Sequence, residues 1–480
     1  MEFLQIRDFI AAGVERRREA YTALSDAIWD KPELNFHEEF AAGALMTLLE
    51  SEGFTLTKQL GGLPNAFRAE FGKGAPVIAF LGEYDALSSL SQKEGCAMRE
   101  ALIPGAPGHG CGHNLLGVGA AAAAIAVKDL IAEGRAQGTV VFLGCPAEET
   151  GSAKAFLARD GHFDGIDAML TWHPWDYNGI WPGSSLANVK LIFRFKGQSA
   201  HAASSPHLGR SALDALELMN VGVQFLREHV PDDTRIHYAI TDAGGVSPNV
   251  VQNTAEAVYL VRSQRLHDLE DIKNRVIDCA RGAAIMTGTQ MEMEFVKGCS
   301  NILPNFALEE ALIASMQEIG VPSYTDEELA LAKSLHDALE SPESTLDKIT
   351  RLCSSQVRED ILAHQGKPLY TFIAPHTPSE TPIIPVSTDV GDASWCAPTS
   401  QVSCAAWAAD TPAHSWQAVS IGKSAIAHKA MLLAAKTIAL TGAKLMTDEK
   451  LLARAKAEHK RRTDKTPYRC PVPKGLMPKF

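Results

Sequence analysis

Residues 109–149, HGCGHNLLGVGAAAAAIAVKDLIAEGRAQGTVVFLGCPAEE, decide the fold of this chain. The alanine-rich part at 119–131 has the composition of a buried helix, and the apolar run at 139–144 has that of a buried strand. Apolar runs of strand length also occur at 77–81 and 168–172. This alternation predicts an α/β fold with a mixed, mainly parallel sheet flanked by helices.

Polar side chains follow each of the three predicted strands. Glu83 and Asp85 come after the first, Glu148 and Glu149 after the second, and His173 after the third. Because ligands of open α/β sheets bind outside the carboxyl ends of the strands, we expect these side chains to converge on one edge of the sheet. The sequence therefore predicts a functional site there.

The motif His109-Gly110-Cys111-Gly112-His113 offers nitrogen and sulfur donors of the kind that bind zinc. Its glycines let the backbone approach a bound ion closely. Cys111 and His113 are the favoured ligands, whereas His109 is expected to support them or to pack in the core. The alternative is a glycine-rich turn that binds nothing.

The adjacent carboxylates Glu148 and Glu149 follow a strand directly, so they lie at a strand end and not on a solvated helix. Side chains of neighbours in a turn diverge, which lets one bind a metal while the other takes the proton of an attacking water. His173 is either a further ligand, which its position favours, or a core histidine. For the last ligand His414 and His428 compete, and spacing does not decide between them, although His428 lies in an apolar helical run.

A different pattern begins near residue 187, with strands of alternating polarity separated by two helices. The order βαββαβ is the ferredoxin-like plan, which predicts an inserted lid or dimerisation domain at 187–300 between the two parts of a catalytic domain, 1–186 and 301–480. The predicted strands are 191–197, 235–242, 255–263 and 290–298, and the predicted helices are 209–229 and 269–286.

The inserted segment also contains polar groups that suit a substrate. His201 follows the first of its strands, and Asn249 lies in a glycine-rich turn. Arg262 lies in an otherwise apolar strand and needs an anionic partner, for which a carboxylate has the best geometry. The alternative for Arg262 is an ion pair within the domain, with Glu256 or a neighbour.

Composition excludes several classes of protein. A net charge of −12 argues against a nucleic-acid scaffold, since phosphate binding depends on clustered Lys and Arg. We find no secretory signal and no apolar span of 18 residues, and the nine scattered cysteines suit a reducing compartment, so a cytoplasmic protein is expected. Residues 13–30 predict one helix, and four prolines at 374–385 predict irregular chain.

Taken in order, six segments resemble the amidohydrolase branch of the aminoacylase and glutamate-carboxypeptidase metallopeptidases. The resemblance covers nearly the whole chain. The segments are Ile28-Trp29-Asp30-Lys31-Pro32-Glu33-Leu34, Gly82-Glu83-Tyr84-Asp85-Ala86-Leu87, Gly108-His109-Gly110-Cys111-Gly112-His113-Asn114, Pro146-Ala147-Glu148-Glu149, Trp172-His173-Pro174 and Gly197-Gln198-Ser199-Ala200-His201-Ala202-Ala203.

This resemblance implies the role of each candidate residue. Glu148 would be the general base, His201 would reach across a dimer interface to the partner's oxyanion, and Asn249 and Arg262 would hold the substrate's α-carboxylate. One departure is Asn114, where many members of the branch have Asp. The implied metal ligands, which favour His414 over His428, are Cys111, His113, Glu149, His173 and His414.

The implied activity is metal-dependent hydrolysis of the amide bond in an N-acyl amino acid, with one or two Zn or Mn ions per subunit. The expected substrate is p-aminobenzoyl-glutamate, and the expected assembly is a homodimer or a heterodimer with a homologous subunit. Two alternatives stay open: another acyl-amino acid or dipeptide as substrate, or a partner subunit that needs a homologous chain for activity. Every catalytic position is filled, which argues against the last.

Overall fold

The computed structural model describes residues 3–181, 183–340, 342–350, 355–376 and 383–479. Its strands are β1 (Thr55–Lys58), β2 (Phe67–Lys73), β3 (Val77–Glu83), β4 (Gly138–Cys145), β5 (Ala168–Trp175), β6 (Gly179–Ile180), β7 (Ala187–Lys196), β8 (Arg235–Asp242), β9 (Thr254–Ser263), β10 (Gln290–Cys299) and β11 (Thr399–Ala405). Its α-helices are α1 (Phe3–Arg16), α2 (Arg18–Trp29), α3 (Glu39–Ser51), α4 (His113–Ala132), α5 (Ala153–Arg159), α6 (Ala212–Leu226), α7 (Leu266–Thr287), α8 (Phe306–Ile319), α9 (Asp326–Asp337), α10 (Thr345–Thr350), α11 (Ser355–Leu362), α12 (Val390–Cys396), α13 (Trp416–Ile421), α14 (Ala425–Thr447) and α15 (Glu449–Thr463).

The larger sheet has seven strands in the order β1-β2-β4-β3-β5-β11-β6. The four central strands β4, β3, β5 and β11 pair in parallel, and the outer strands pair antiparallel. The predicted mainly parallel sheet flanked by helices is therefore confirmed. Two details were wrong: β5 extends to Trp175 and β3 extends to Glu83, so His173 and Glu83 lie within their strands and do not follow them.

The alanine-rich helix α4 lies in the core of this part of the protein, packed against α14 and the sheet. Small side chains let the helix and the sheet approach closely; a Cβ added at Gly119 would lie 2.7 Å from the indole nitrogen of Trp172. Contrary to the expectation of no long apolar span, α4 and α14 are both long and apolar enough to cross a membrane. Their apolar windows are 83% and 78% buried inside the protein, as in core helices.

The second sheet has four antiparallel strands in the order β10-β7-β9-β8, with α6 and α7 on one face. The predicted order of elements βαββαβ is present. A hydrophobic core of its own, separate from that of the larger sheet, lies between the strands and the two helices. In the edge strand β10, Met291 and Phe295 pack against this core, whereas Met293 is 41% exposed.

The predicted helix at 13–30 is two helices, because the chain breaks between α1 and α2 at Arg17. Arg17 has φ −105° and ψ 11°, and its guanidinium binds Glu52 at 2.7 Å and Asp129 at 2.7 Å. These partners come from elsewhere in the fold, so the break has a tertiary cause. Of the proline-containing stretch predicted to be irregular, residues 377–382 lie outside the described chain.

Candidate metal centre

The carboxyl ends of β3, β4 and β5 and the first turn of α4 bring the predicted donors together. Gly112 precedes α4 with φ 74°, in the left-handed region that glycine adopts without strain. A Cβ at Gly112 would lie 2.9 Å from the side chain of Pro174 in β5. The glycine therefore allows the Cys111 loop to approach β5 and the neighbouring His173.

Two pairs of predicted ligands have the spacing of donors to a common ion. The Sγ atom of Cys111 lies 3.5 Å from Nε2 of His173, and Nε2 of His414 lies 3.3 Å from Oε2 of Glu149. Cys111 belongs to both of two donor groups, Cys111–His113–His173 and Cys111–Glu149–His414, and within each group the donor atoms all lie within 4.8 Å of one another. Because the two groups share Cys111, the structure places all five residues in one cluster.

Neighbouring groups hold these donors in orientation. Nδ1 of His113 hydrogen-bonds Oδ1 of Asp85 at 2.8 Å, and Nδ1 of His173 contacts the Pro174 carbonyl at 2.7 Å. The other oxygen of Asp85 accepts the backbone N–H of Glu149 at 2.9 Å. A ligand histidine normally uses its second nitrogen in this way, which leaves Nε2 for the metal.

Two buried atoms of the cluster, Nε2 of His113 and Oε1 of Glu149, have no hydrogen-bond partner in the described chain. Leaving such atoms unpaired in the interior is costly, so the site is shaped for a further group. Nitrogen, thiolate and carboxylate donors together suit a divalent transition metal. The residues present fit the divalent ion that the sequence predicted.

The ionisation of the cluster shows the charge that such an ion would meet. Hydrogen bonds to Cys111 and Glu149 raise the pKa of His414 to about 10. Burial opposes ionisation of Glu149, yet the hydrogen bond from His414 and the charge of His113 lower its pKa to about 2. The imidazolium of His414 thus balances the carboxylate of Glu149. A bound divalent ion would supply that positive charge instead, and its histidine ligands would have to be neutral.

Glu148, the predicted base, lies beside the cluster in a different electrostatic setting. Burial and the nearby carboxylates Glu83 and Glu149 raise the pKa of Glu148 to about 8. A carboxylate with a raised pKa accepts and returns a proton near neutral pH more readily than an ordinary glutamate. The pKa of Glu148 is therefore raised, as its predicted role as a base requires, whereas the pKa of Glu149 is lowered, as its predicted role as a metal ligand requires.

Sequence reasoning missed several residues of the site. Lys154, whose side chain is fully buried in α5, binds Glu83 at 2.6 Å and Asp389 at 2.5 Å. Nζ of Lys297 in β10 donates to the Glu149 carbonyl at 3.0 Å, so the second sheet touches the cluster. Lys154 and Lys297 are single residues in apolar or alternating segments, and neither belongs to a spaced motif that could have identified it.

Two tryptophans beside His173, here called the aromatic pair, were also missed. Ring centroids of Trp175 and Trp181 lie 5.8 Å and 5.2 Å from that of His173, and 5.2 Å from each other. Both rings are partly buried, and the buried Nε1 of Trp181 has no hydrogen-bond partner in the described residues. An aromatic surface thus adjoins a predicted ligand.

Two predicted substrate groups of the second sheet, His201 and Asn249, contact neighbouring residues of their own segment. His201 is exposed and forms an isolated bridge with Val250, and its Nδ1 accepts backbone N–H groups of Ala203 and Ser204. The backbone of the adjacent Asn249 accepts a hydrogen bond from Ala202 at 3.0 Å. Across the described ranges, no hydrogen bond or ion pair joins His201 or Asn249 to the cluster.

The guanidinium of Arg262 donates a hydrogen bond to the hydroxyl of Ser387, in the loop before α12, at 3.2 Å. Within the described chain, Arg262 forms no ion pair with an acidic residue. The alternative of an ion pair with Glu256 was wrong, because Glu256 binds Arg194 at 2.6 Å. The guanidinium of Arg262 therefore remains available to an anion.

The competing histidines have structural roles. His428 binds Asp26 at 2.8 Å, and His109 contacts the Ile28 carbonyl at 3.2 Å. Neither belongs to a donor group in the part of the chain that the structure describes. The Asn114 side chain donates to Ser25 at 3.1 Å and to the Gly422 carbonyl at 3.2 Å, so it joins α2 to the loop before α14.

Comparison with known proteins agrees with this arrangement. The sequence model of Peptidase family M20/M25/M40 matches residues 79–326, which include Glu83 and four of the five predicted ligands. The chain belongs to this family. It is a metal-dependent hydrolase, and the resemblance recognised in its motifs is confirmed.

Relatives extend the match to the whole chain. The B subunit of the p-aminobenzoyl-glutamate hydrolase of Escherichia coli (strain K12) is 48% identical over 99% of both chains. The Xaa-Arg dipeptidase of Mus musculus is 32% identical over 65% of this chain and 71% of its own. The fold matches the YXEP protein of Bacillus subtilis, a dinuclear metal-binding peptidase from the M20 family, with a TM-score of 0.56 over 90% of this chain and 99% of that one at 16% identity.

Proposed function

We propose that this chain hydrolyses the amide bond of p-aminobenzoyl-glutamate, releasing p-aminobenzoate and glutamate. Identity of 48% over nearly all of both chains to a subunit of the hydrolase of that name supports the substrate. The structural observation that carries the proposal is the aromatic pair, Trp175 and Trp181, beside the proposed metal ligand His173. An aromatic acyl group has a flat apolar face, which stacks or packs edge to face on indole rings.

The proposed ligands, which would hold one or two Zn or Mn ions, are Cys111, His113, Glu149, His173 and His414. Their spacing in two groups supports this set. When bound, divalent metal would polarise the scissile carbonyl and make water a stronger acid.

The chain's own residues would handle the protons and the substrate charges. Glu148 would take a proton from the attacking water and pass it to the leaving glutamate nitrogen. Arg262, with no acidic partner in the described chain, would bind the substrate carboxylate together with Asn249. His201 would donate to the developing oxyanion, a contribution typically worth roughly 3–4 kcal/mol.

We also propose that residues 187–300 form a lid and dimerisation domain, and that the active protein is a homodimer or a pair with a homologous subunit. The separate hydrophobic core of this segment supports its independence, and the relative's designation as one subunit of a hydrolase supports a partner. Exposed apolar side chains on its helices, such as Phe225 and Ile285, suit an interface. The free thiols of all described cysteines suit a cytoplasmic location.

A single assay tests the proposed reaction. The purified full chain, dialysed against Zn²⁺ or Mn²⁺, should release p-aminobenzoate and glutamate in equal amounts. Glu148→Gln should lower kcat by about 100-fold or more while binding the same number of ions, because it removes the base and leaves the donor cluster intact. Undiminished turnover by Glu148→Gln would refute the mechanism.

The same assay separates the alternatives. A series of acyl-glutamates, acyl-aspartates and Xaa-Arg dipeptides would identify another preferred substrate, and the similarity to the dipeptidase makes dipeptides the first of these to include. If the metal-loaded chain is inactive alone and becomes active with a homologous chain, the partner-subunit hypothesis is correct.

A further inference from the structure

Glu83, the last residue of β3, is a buried carboxylate that the proposed ligand set does not use. Its side chain is 3% exposed, and its Oε2 lies 3.3 Å from Nε2 of His113. Glu83, His113 and Glu148 form a third donor group whose atoms lie within 4.8 Å of one another. The group overlaps the proposed centre at His113 but adds an oxygen donor to it.

The spacing between Glu83 and His113 is that of two donors to one ion. Nitrogen and oxygen ligands of zinc lie about 2.0–2.2 Å from the metal, so a separation of 3.3 Å corresponds to an angle of roughly 105° at the ion, near tetrahedral. The proposed ligands Glu149 and His414 have the same separation of 3.3 Å. Glu83 therefore lies as far from its histidine, His113, as the proposed ligand Glu149 lies from His414.

The free nitrogen of His113 points to the same conclusion. Its ring is fully buried, and Nδ1 is occupied by Asp85. Nε2 is buried and lacks a hydrogen-bond partner within the described ranges, although Glu83 lies close to it. A nitrogen in this state is oriented to bind an ion between the ring and the carboxylate.

The second oxygen of Glu83 is held by Lys154. Oε1 lies 2.6 Å from the Lys154 ammonium, which also binds Asp389 at 2.5 Å, and all three side chains are buried. One ammonium between two carboxylates leaves a negative charge that a nearby cation must balance, which is His113 when it is protonated or an ion bound by the neutral ring. Ligand carboxylates are commonly hydrogen-bonded through their other oxygen in this manner.

We propose that Glu83 is a further ligand of the divalent ion held by His113, bound through Oε2, and that Lys154 is a positioning residue that fixes it. The inference rests on the metal centre of the proposed function and adds a sixth protein ligand to it. The function of the Glu83–Lys154–Asp389 network is then to hold an oxygen donor at a set place in the cluster.

Cobalt binding to the full chain tests this inference without relying on activity. Co²⁺ affinity and stoichiometry are measured by equilibrium dialysis, and the coordination is read from the visible absorption of the bound ion. Glu83→Gln should lower the affinity for one of the bound Co²⁺ ions by about 100-fold or more and change its absorption spectrum, because a residue that binds the ion directly is lost. Asp389→Asn, the matched control, removes the charge of the other Lys154 partner but keeps an acceptor oxygen, and it should weaken binding by about tenfold at most with an unchanged spectrum.

Wild-type affinity and spectrum in a folded Glu83→Gln chain would overturn the inference, as would equal effects of Glu83→Gln and Asp389→Asn. If circular dichroism shows that Glu83→Gln is unfolded, Glu83→Asp replaces it; the charge is kept, the oxygen is withdrawn by one methylene, and the same spectral change is expected. Absence of hydrolysis by a wild-type chain that binds two ions would contradict the proposed function alone, since the cobalt data still decide the role of Glu83.

Discussion

Backbone conformation at single residues explains how distant donors meet. His414 has φ 60°, a left-handed conformation that is uncommon outside glycine, and its N–H donates to the Gly110 carbonyl at 3.0 Å. That bond joins the C-terminal loop to the Cys111 motif. The imidazole of His414 lies beside Glu149, with its Nε2 3.3 Å from Oε2 of that carboxylate.

We predict that His414→Gly loses one metal position while the fold is retained. Glycine accepts a positive φ without strain, so the variant removes the imidazole and not the conformation. Affinity for one of the two ions should fall by about 100-fold or more, measured by dialysis with Zn²⁺. His428→Gly is not matched in conformation, so His428→Ala serves as the control.

His428→Ala should bind Zn²⁺ as the wild type does, since His428 only pairs with Asp26. Its loss in the free energy of unfolding should be about 1 kcal/mol or less. Equal loss of zinc in both variants would show that His414 is not a ligand.

A second prediction at this scale concerns the acyl group. Trp181→Leu should reduce kcat/KM for p-aminobenzoyl-glutamate by about tenfold and leave acetyl-glutamate unchanged, because an aromatic contact contributes about 0.5–1.5 kcal/mol beyond its area. Trp407, whose fully buried ring lies 5.5 Å from that of Trp175, provides the comparison. Trp407→Phe should lower stability without changing the ratio of the two substrates, and the reverse pattern would disprove the role of Trp181.

Single residues also show what the sequence could predict of the site. Cys111 and His113 belong to one short motif, and Glu148 and Glu149 are adjacent, so their type and spacing indicated metal chemistry. Lys154 lies in an apolar helix, and its partner Asp389 is 235 residues away in the chain. No local pattern records such a contact, because it depends on packing between elements.

Among the elements, buried strands and helices were the most predictable. Runs such as 139–144 are apolar throughout because both faces of a central strand are covered, and β4 is buried at all eight of its positions. The division between α1 and α2 was not predictable, since Arg17 leaves the helical conformation in order to bind Glu52 and Asp129. Local periodicity continues across that break and hides it.

The loop after β5 anchors α10 through a buried acid, and this contact should depend on pH. Asp176 accepts hydrogen bonds from the Thr345 hydroxyl at 2.5 Å and the Asp410 N–H at 2.8 Å. Burial raises the pKa of Asp176 to about 7. The folded state therefore binds the Asp176 proton more tightly than the unfolded chain does. The contribution of this proton to the free energy of unfolding is complete below about pH 4 and is lost as the pH rises through about 7.

Asp176→Asn should abolish that part of the pH dependence, because an amide does not titrate and its oxygen can accept both bonds. Between pH 4.5 and 8, the wild type should lose about 3 kcal/mol in the free energy of unfolding relative to the variant, which is most of the effect of a shift of about three pKa units. Urea unfolding at the two pH values measures this difference. Asp337→Asn, at an exposed acid, should follow the wild type, and parallel profiles for all three proteins would contradict the raised pKa.

At the scale of the whole molecule, the second sheet is joined to the first near the donor cluster. Lys297 of β10 reaches the Glu149 carbonyl, and Arg262 of β9 reaches Ser387. The alternation of its strands and helices predicted the topology of this sheet, but no pattern in the sequence predicted its contact with the residues of the donor cluster. Such placement depends on a few long side chains that bridge two separately packed cores.

Among the described residues, no hydrogen bond or ion pair joins His201 or Asn249 to the donor cluster of their own chain, and the family resemblance implies that His201 acts in the partner's site. If so, two variants that are each inactive should complement one another. A Glu148→Ala chain keeps His201, and a His201→Ala chain keeps Glu148. In a mixed dimer the first chain would supply His201 to the site of the second, which then contains every group.

Chains refolded together in equal amounts should recover about one quarter of wild-type activity, since half of the dimers are mixed and one of their two sites is complete. Release of p-aminobenzoate measures the recovery, and sedimentation confirms that dimers have formed. A mixture as inactive as its components would place His201 in its own subunit's site or outside the reaction. Recovery requires both a dimer and a site completed across it, which makes the inserted segment part of the catalytic unit and not only a cover for it.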